Sequence, residues 1–154
     1  MGKEIERKFL VTGEGWRAMA TGENFRQGFL STEKERTVRV RVAGRKGTLT
    51  IKGKSNGISR AEYEYEIPVG DAEKLLDELC HRPIIEKVRH TLEFGGKTWE
   101  VDVFAGENLG LVVAEVELED ENQSVELPDW VGQDVSDDPR YFNANLVSHP
   151  YSRW

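Results

Sequence analysis

A closed barrel of eight antiparallel β-strands, with a charged lumen and a few covering helices, is the fold this sequence predicts. Three observations predict it. Runs alternating apolar and charged residues with a period of two fill most of the 154-residue chain. Glycine-containing turn signals separate them, and helical periodicity is confined to a few short stretches. The class is mainly β with an α contribution, and eight strands are enough to close a barrel.

The first run, Lys3 to Thr12, sets Glu4, Glu6 and Lys8 against Ile5, Phe9 and Val11, with Arg7 out of pattern. Asn24 to Ser31 is weaker but carries Phe25, Phe29 and Leu30. Arg36 to Val42 is clean, with Val38, Val40 and Val42 opposite Thr37, Arg39 and Arg41. Thr48 to Lys54 sets Leu49 and Ile51 against Thr50, Lys52 and Lys54. Arg60 to Pro68 sets Tyr63, Tyr65 and Ile67 against Arg60, Glu62, Glu64 and Glu66. Ile84 to Phe94 sets Val88, Leu92 and Phe94 against Lys87, Arg89 and Glu93. Thr98 to Phe104 sets Trp99, Val101 and Val103 against Glu100 and Asp102. Leu111 to Glu119 sets Val112, Ala114, Val116 and Leu118 against Glu115, Glu117 and Glu119. Turns are expected at Ala43-Gly44, Ser55-Asn56-Gly57, Gly95-Gly96 and 106–110, and Gly95-Gly96 is a hairpin signal.

The clearest helix is Asp71 to Cys80, with Asp71 as its cap and Ala72, Leu75, Leu76, Leu79 and Cys80 as its stripe. A short helix over Gly13 to Ala20 is expected to present Trp16 and Met19. Past Pro128 the pattern again reads helical, through Trp130, Val131 and Val135 and then Tyr141, Phe142, Leu146 and Val147.

Composition excludes several functions. A net charge of −7 argues against a generic nucleic-acid binder and against bulk attraction to an anionic membrane. One cysteine, Cys80 among leucines, allows no internal disulfide and reads as a buried thiol, in keeping with a reducing, cytoplasmic setting. The charged N-terminus lacks the apolar run of a signal peptide, and no stretch is long enough to span a bilayer. No Walker loop or nucleophile elbow is present. His81, His90 and His149 lack metal-ligand spacing. Trp16, Trp99 and Trp130 read as packing residues, and Glu66 and Glu119 as solvated strand ends.

The charged fraction, 32% of residues, is informative through its placement. The charges sort into like-signed pairs by strand: Arg39 with Arg41, Lys52 with Lys54, and Lys87 with Arg89 are cationic. Glu62 with Glu64, Glu100 with Asp102, and Glu115 with Glu117 are anionic. Like charges two apart on one face repel, and something must offset that repulsion. A charged interior would do so, with cationic and anionic strands in partial balance and ligands of both signs supplying the rest. Carboxylates select hard divalent cations, Mg²⁺ or Mn²⁺. Arginine and lysine select a phosphate chain.

Glu4-Ile5-Glu6-Arg7-Lys8 resembles the ExExK signature of the CYTH family, the triphosphate tunnel metalloenzymes. Phe25-Arg26-Gln27-Gly28-Phe29-Leu30 is similar to its QGYL segment. Val38-Arg39-Val40-Arg41 and Leu49-Thr50-Ile51-Lys52 resemble its basic strands, and Ser59 to Glu64 its RxExE strand. Ile85 to Arg89, Trp99 to Phe104, Ala114 to Glu117 and the ending from Pro139 to Leu146 follow in the family's order. The resemblance covers the whole chain and implies one tunnel domain over 1–154.

It further implies metal-dependent chemistry on triphosphates. On that basis Lys8, Arg39, Arg41, Lys52, Lys87 and Arg89 hold the phosphates, with Lys54 and Arg60 as outer members. Glu4, Glu6, Glu62, Glu64, Glu115 and Glu117 are the expected metal ligands, with Asp102 as a ligand or behind one. Lys87, Glu115 and Glu117 are the expected catalytic residues, a glutamate positioning or deprotonating the attacking water. One departure stands out. The family tyrosine proposed to pair with the lysine at position 87 is here Phe29, so no Tyr–Lys dyad operates.

The implied substrate is inorganic tripolyphosphate, cleaved to pyrophosphate and phosphate, or another organic triphosphate. Thiamine triphosphatase, a class IV adenylate cyclase and a non-catalytic polyphosphate-binding module are the alternatives. Neither nucleic acid nor membrane is expected as a partner, and exposed strand ends and apolar helices permit a homodimer.

Overall fold

The computed structural model describes residues 2–154. Its strands are β1 (Lys3–Val11), β2 (Thr21–Ser31), β3 (Arg36–Ala43), β4 (Lys46–Gly53), β5 (Ser59–Ile67), β6 (Ile85–Phe94), β7 (Lys97–Phe104), β8 (Val112–Glu117) and β9 (Val131–Asp134). The helices are α1 (Val69–Glu78) and α2 (Asn143–Ser148). Hydrogen bonding runs in the order β5-β4-β3-β2-β6-β7-β8-β1-β9, and a further β1–β5 pairing closes the first eight strands into an antiparallel barrel.

β1 is the strand on which closure turns. One edge pairs with β8 from Glu6 to Leu10. The other edge is divided: Lys3, Glu4 and Ile5 meet β5, whereas Phe9 and Val11 meet β9. β9 thus takes up the backbone groups that β5 leaves unpaired. The helical pattern expected through Val131 does not form, because an open strand edge and β-branched residues favour pairing there. Gly132 permits the close approach, since a Cβ at that position would lie 3.2 Å from Thr12 and 3.3 Å from the Leu10 carbonyl. Arg7, the residue out of pattern, points outward, where its guanidinium reaches Asp134 of β9 at 2.7 Å.

The main apolar clusters lie on the outside of this wall. Ile5, Phe9, Leu92, Trp99, Val101, Ala114 and Val116 face outward from β1, β6, β7 and β8 and are covered by Trp16, Leu118 and Trp130. Trp99 is fully buried, edge-on to Trp130 with centroids 5.7 Å apart. The segment around Trp16 is only a 3₁₀ turn, Arg17–Met19, which buries Trp16 and leaves Met19 exposed.

α1 covers the opposite side. Ala72, Leu76 and Cys80, four residues apart, pack on Val40, Val42 and Leu49. The helix begins at Val69 with Pro68 at its cap, so Asp71 lies in the first turn and is not the cap. Leu79 is exposed and lies outside the stripe. Gly28 and Gly47 let the helix sit close: a Cβ on either would come within 2.9 Å of Cys80 or Ala72.

Toward one end the lumen face itself turns apolar. Leu10, Phe29, Ile85, Phe104 and Val113 line that end, and Val135, Tyr141, Leu146 and Val147 of the C-terminal segment pack onto them. No helix is long and apolar enough to cross a membrane among the described residues.

Candidate active site in the barrel lumen

Alternation on eight strands sends every second side chain inward, where a cavity of about 470 Å³ is formed. Its walls carry Lys8, Arg39, Arg41, Lys52, Lys54, Arg60, Lys87 and Arg89, and Glu4, Glu6, Glu62, Glu64, Glu115 and Glu117. Of the site residues singled out from the sequence, Asp102 is absent from the cavity wall. It is buried beneath that surface, its side chain 1% exposed.

Asp102 anchors two cations. Its carboxylate accepts from Lys87 Nζ at 2.7 Å and from Arg89 Nε and Nη2 at 2.8 and 2.9 Å. Those two neighbours hold its carboxyl well below the ordinary range, against the opposing effect of burial. Arg89 also reaches Glu115 at 3.2 Å and Glu100 at 3.3 Å. Lys8 contacts Glu115 at 2.8 Å. Burial opposes ionisation of Glu115, but Lys8 and Arg89 bring its pKa down to about 2. Lys52 pairs with Glu4 at 2.9 Å and Glu62 at 3.5 Å.

The remaining charges are not balanced in this way, and they separate into two poles. Arg41 has no carboxylate partner among the described residues; its Nε donates to Gln27 Oε1 at 3.0 Å. Arg39 reaches Glu64 only at 3.5 Å, and its Nε is buried without a partner. Burial and neighbouring guanidinium groups lower the pKa of both arginines, Arg41 most strongly. The ring of Phe25 lies between Arg41 and Arg89, 4.6 and 5.0 Å from their guanidinium carbons. This pole lacks an anion.

The opposite pole carries more carboxylates than cations. In register, Glu6 lies directly across from Glu117, and Glu100 from Glu115. Like charges in directly opposed positions destabilise a strand pair. The Glu6 carboxylate has no hydrogen-bond or ion-pair partner among the described residues. Burial, with Glu115 and Glu4 nearby, pushes its pKa up to about 8. Burial and Glu4 likewise raise Glu62. Among the described residues no three His, Cys, Asp or Glu side chains stand gathered around a metal position. The carboxylate chemistry fits a hard divalent cation nonetheless, since an unpartnered, half-buried Glu6 among like charges is what such an ion would neutralise.

Lys87 sits at the inner end. Burial lowers its pKa, and Arg89 and Arg41 lower it further against the pull of Asp102, to about 7. Its ammonium lies 5.3 Å from the Phe104 ring centre. Phe29 is part of the apolar end and offers no hydroxyl. Arg60 donates to Gly53 O and Thr37 Oγ1 near the strand ends.

Two lumen residues escaped the sequence reading. Gln27 is fully buried between Arg41 and Asn143, and Asn143 accepts from both Gln27 and Lys87. Gln27 is legible in retrospect, two residues from Phe29 on the same strand face. Asn143 carries no local signal, because it reaches the lumen only through the return of the C-terminal segment.

The CYTH domain family matches residues 2–151. An inorganic triphosphatase from Acetivibrio thermocellus is 56% identical over 154 residues, covering 100% of this chain and 99% of that protein. An inorganic triphosphatase from Nitrosomonas europaea is 38% identical over 152 residues, covering 94% of this chain and 96% of that protein. The crystal structure of the inorganic triphosphatase NE1496 superposes with a TM-score of 0.65 at 34% identity, covering 94% of this chain and 93% of that one.

Proposed function

The chain belongs to the CYTH domain family, and from that premise we propose that it is an inorganic triphosphatase, a hydrolase that splits tripolyphosphate into pyrophosphate and orthophosphate. The observation that carries this reading is the two-pole lumen. Arg41 has no carboxylate partner and Arg39 only a long contact to Glu64, Glu6 lacks a cation, and a phosphate chain accompanied by a divalent ion supplies both charges. The naming of both curated relatives as inorganic triphosphatases favours hydrolysis over cyclisation or simple binding.

Arg39, Arg41, Lys52, Lys87 and Arg89 bind and orient the phosphate chain, with Lys8 beside them. Lys54 and Arg60 add charge at the strand ends. Enzymes of this family are generally metal-dependent. Glu4, Glu6, Glu62, Glu64, Glu115 and Glu117 are the residues that would hold Mg²⁺ or Mn²⁺. Such an ion, when bound, would neutralise phosphate oxygens and acidify water. Asp102 acts from behind, fixing Lys87 and Arg89.

Catalysis is then mainly positioning and charge stabilisation. Lys8 and Arg89 occupy Glu115 and hold its pKa low, which makes it a weak proton acceptor. Glu117, opposite Glu6 on the cavity wall, is better suited to orient the attacking water. Lys87, brought near neutrality, is able to exchange a proton at working pH. Phe29 takes no part in proton transfer.

Phosphate release from tripolyphosphate, ATP and thiamine triphosphate, each with Mg²⁺, Mn²⁺ or chelator, tests the reading. Metal-dependent release, fastest from tripolyphosphate, is expected; pyrophosphate release from ATP would point to a cyclase. Glu117→Gln is expected to lower kcat about a hundredfold. An unchanged rate with unchanged metal dependence would remove Glu117 from the mechanism.

A further inference from the structure

We propose that Asn143 is a substrate-contacting residue, its Nδ2 donating a hydrogen bond to the phosphate chain. The inference deepens the triphosphatase reading and rests on it. It follows from a chain of hydrogen bonds whose direction is forced from one end.

Arginine Nε–H is only ever a donor. Arg41 Nε lies 3.0 Å from one terminal atom of the Gln27 carboxamide, and that atom must therefore be the oxygen. The Gln27 amide nitrogen then faces Asn143 at 2.7 Å and donates, so the Asn143 atom it meets must also be oxygen. Lys87 confirms the assignment independently, since its Nζ donates to the same Asn143 Oδ1 at 3.1 Å. An asparagine carboxamide cannot flip to suit this surface without placing two donors against its own NH₂ group.

With Oδ1 doubly occupied, Nδ2 is left over. It has no hydrogen-bond partner among the described residues, and Asn143 lines the lumen cavity. A neutral donor is thereby held beside Lys87 and one residue removed from Arg41, where an anionic oxygen is the partner it lacks. Unlike the lysine and the arginine, it adds no charge to a pole already crowded with like charges. It therefore contributes direction without repulsion.

Two substitutions separate this role from a supporting one. Asn143→Asp keeps the oxygen that accepts from Gln27 and Lys87 and replaces the donor with a second, anionic acceptor. Asn143→Ala removes both. Tripolyphosphate binding is measured by calorimetry in chelator, where no turnover occurs. The expected order of affinity is wild type, then Ala, about tenfold weaker, then Asp, weaker by about tenfold again. The Asp carboxylate repels the phosphate chain whatever Asn143 does, so Asn143→Ala is also measured in a Gln27→Ala, Lys87→Met background, where the groups that Oδ1 supports are gone. The donor role keeps an about tenfold loss there, and no further loss there overturns the proposal. Ala equal to wild type, with or without a loss in Asp, overturns it as well. Phosphate release by the wild type with Mg²⁺ is scored separately. Binding without hydrolysis refutes the triphosphatase reading while the binding order still decides the role of Asn143; neither binding nor Mg²⁺-dependent hydrolysis of tripolyphosphate by the wild type refutes both.

Discussion

Replacing Asp102 with asparagine removes the negative charge that Lys87 and Arg89 share while leaving the shape of the site nearly unchanged. The carboxylate, 1% exposed, accepts three short hydrogen bonds from two cations. Breaking a buried ion pair by neutralising one partner costs about 3–5 kcal/mol, because the other charge is left without compensation. Arg89 retains Glu115 and Glu100, whereas Lys87 retains only the Asn143 carbonyl, which places Asp102→Asn at the lower end, about 3 kcal/mol. For a chain of this size that corresponds to a fall in Tm of about 6–12 °C. The lost charge also leaves the cationic pole more positive, so tripolyphosphate should stabilise the variant more than the wild type. Thermal unfolding followed by circular dichroism near pH 6, where Lys87 is protonated, in chelator, with and without tripolyphosphate, measures both effects. A variant melting within about 2 °C of wild type, or one that tripolyphosphate stabilises no further than wild type, would refute the anchoring role of Asp102.

Glu6→Gln tests the opposite pole. Because the folded-state pKa of Glu6 is raised to about 8, its proton is held more tightly in the folded chain. That contribution to stability is fully present below the unfolded value near 4.5 and is lost as pH rises toward 8. In chelator the variant should melt with wild type near pH 5 and several degrees above it at pH 8, as read by melting across a pH series, and Mg²⁺ should narrow the gap. Equal melting at pH 8 would mean that Glu6 is not strained. Arg41→Met removes a half-buried guanidinium with no carboxylate partner among the described residues. It should raise the apoprotein Tm while weakening tripolyphosphate binding about tenfold or more, and calorimetry beside a melting curve reads both. Acid unfolding should proceed as pH falls from about 4.5 toward the Glu115 value of about 2, because its lowered pKa gives stability above the unfolded value and loses it below.

Much of this architecture was legible because most of the first eight strands carry one apolar and one charged face, a pattern that a strand translates directly into two sides of a wall. β9 was not, since four residues from Val131 to Asp134 hold a strand conformation only against the vacant edge of β1. Nor was the first turn of α1, whose start at Val69 is set by Pro68 and not by Asp71. In the lumen, residue type and strand face located nearly every charge. What they did not reveal was pairing: Asp102 and Glu115 read as open carboxylates until register placed Arg89 against one and Lys8 against the other. Asn143 illustrates the deeper limit, for its place depends on a fold-back more than 50 residues from Lys87 in sequence.

An ordinary barrel keeps its apolar packing within; this one packs its largest apolar residues, Trp99, Phe9 and Trp16, against the outer surface of the wall. Residues that hold the chain together and residues that meet the substrate therefore alternate along the same strand, neighbour by neighbour. Variation is freed by that arrangement. A lineage can exchange lumen side chains one at a time, drifting from one phosphorylated substrate to another, while the intervening positions keep the strands in place. The same spacing tells a protein engineer where to diversify: every second codon of β1 through β8, with its neighbours left alone.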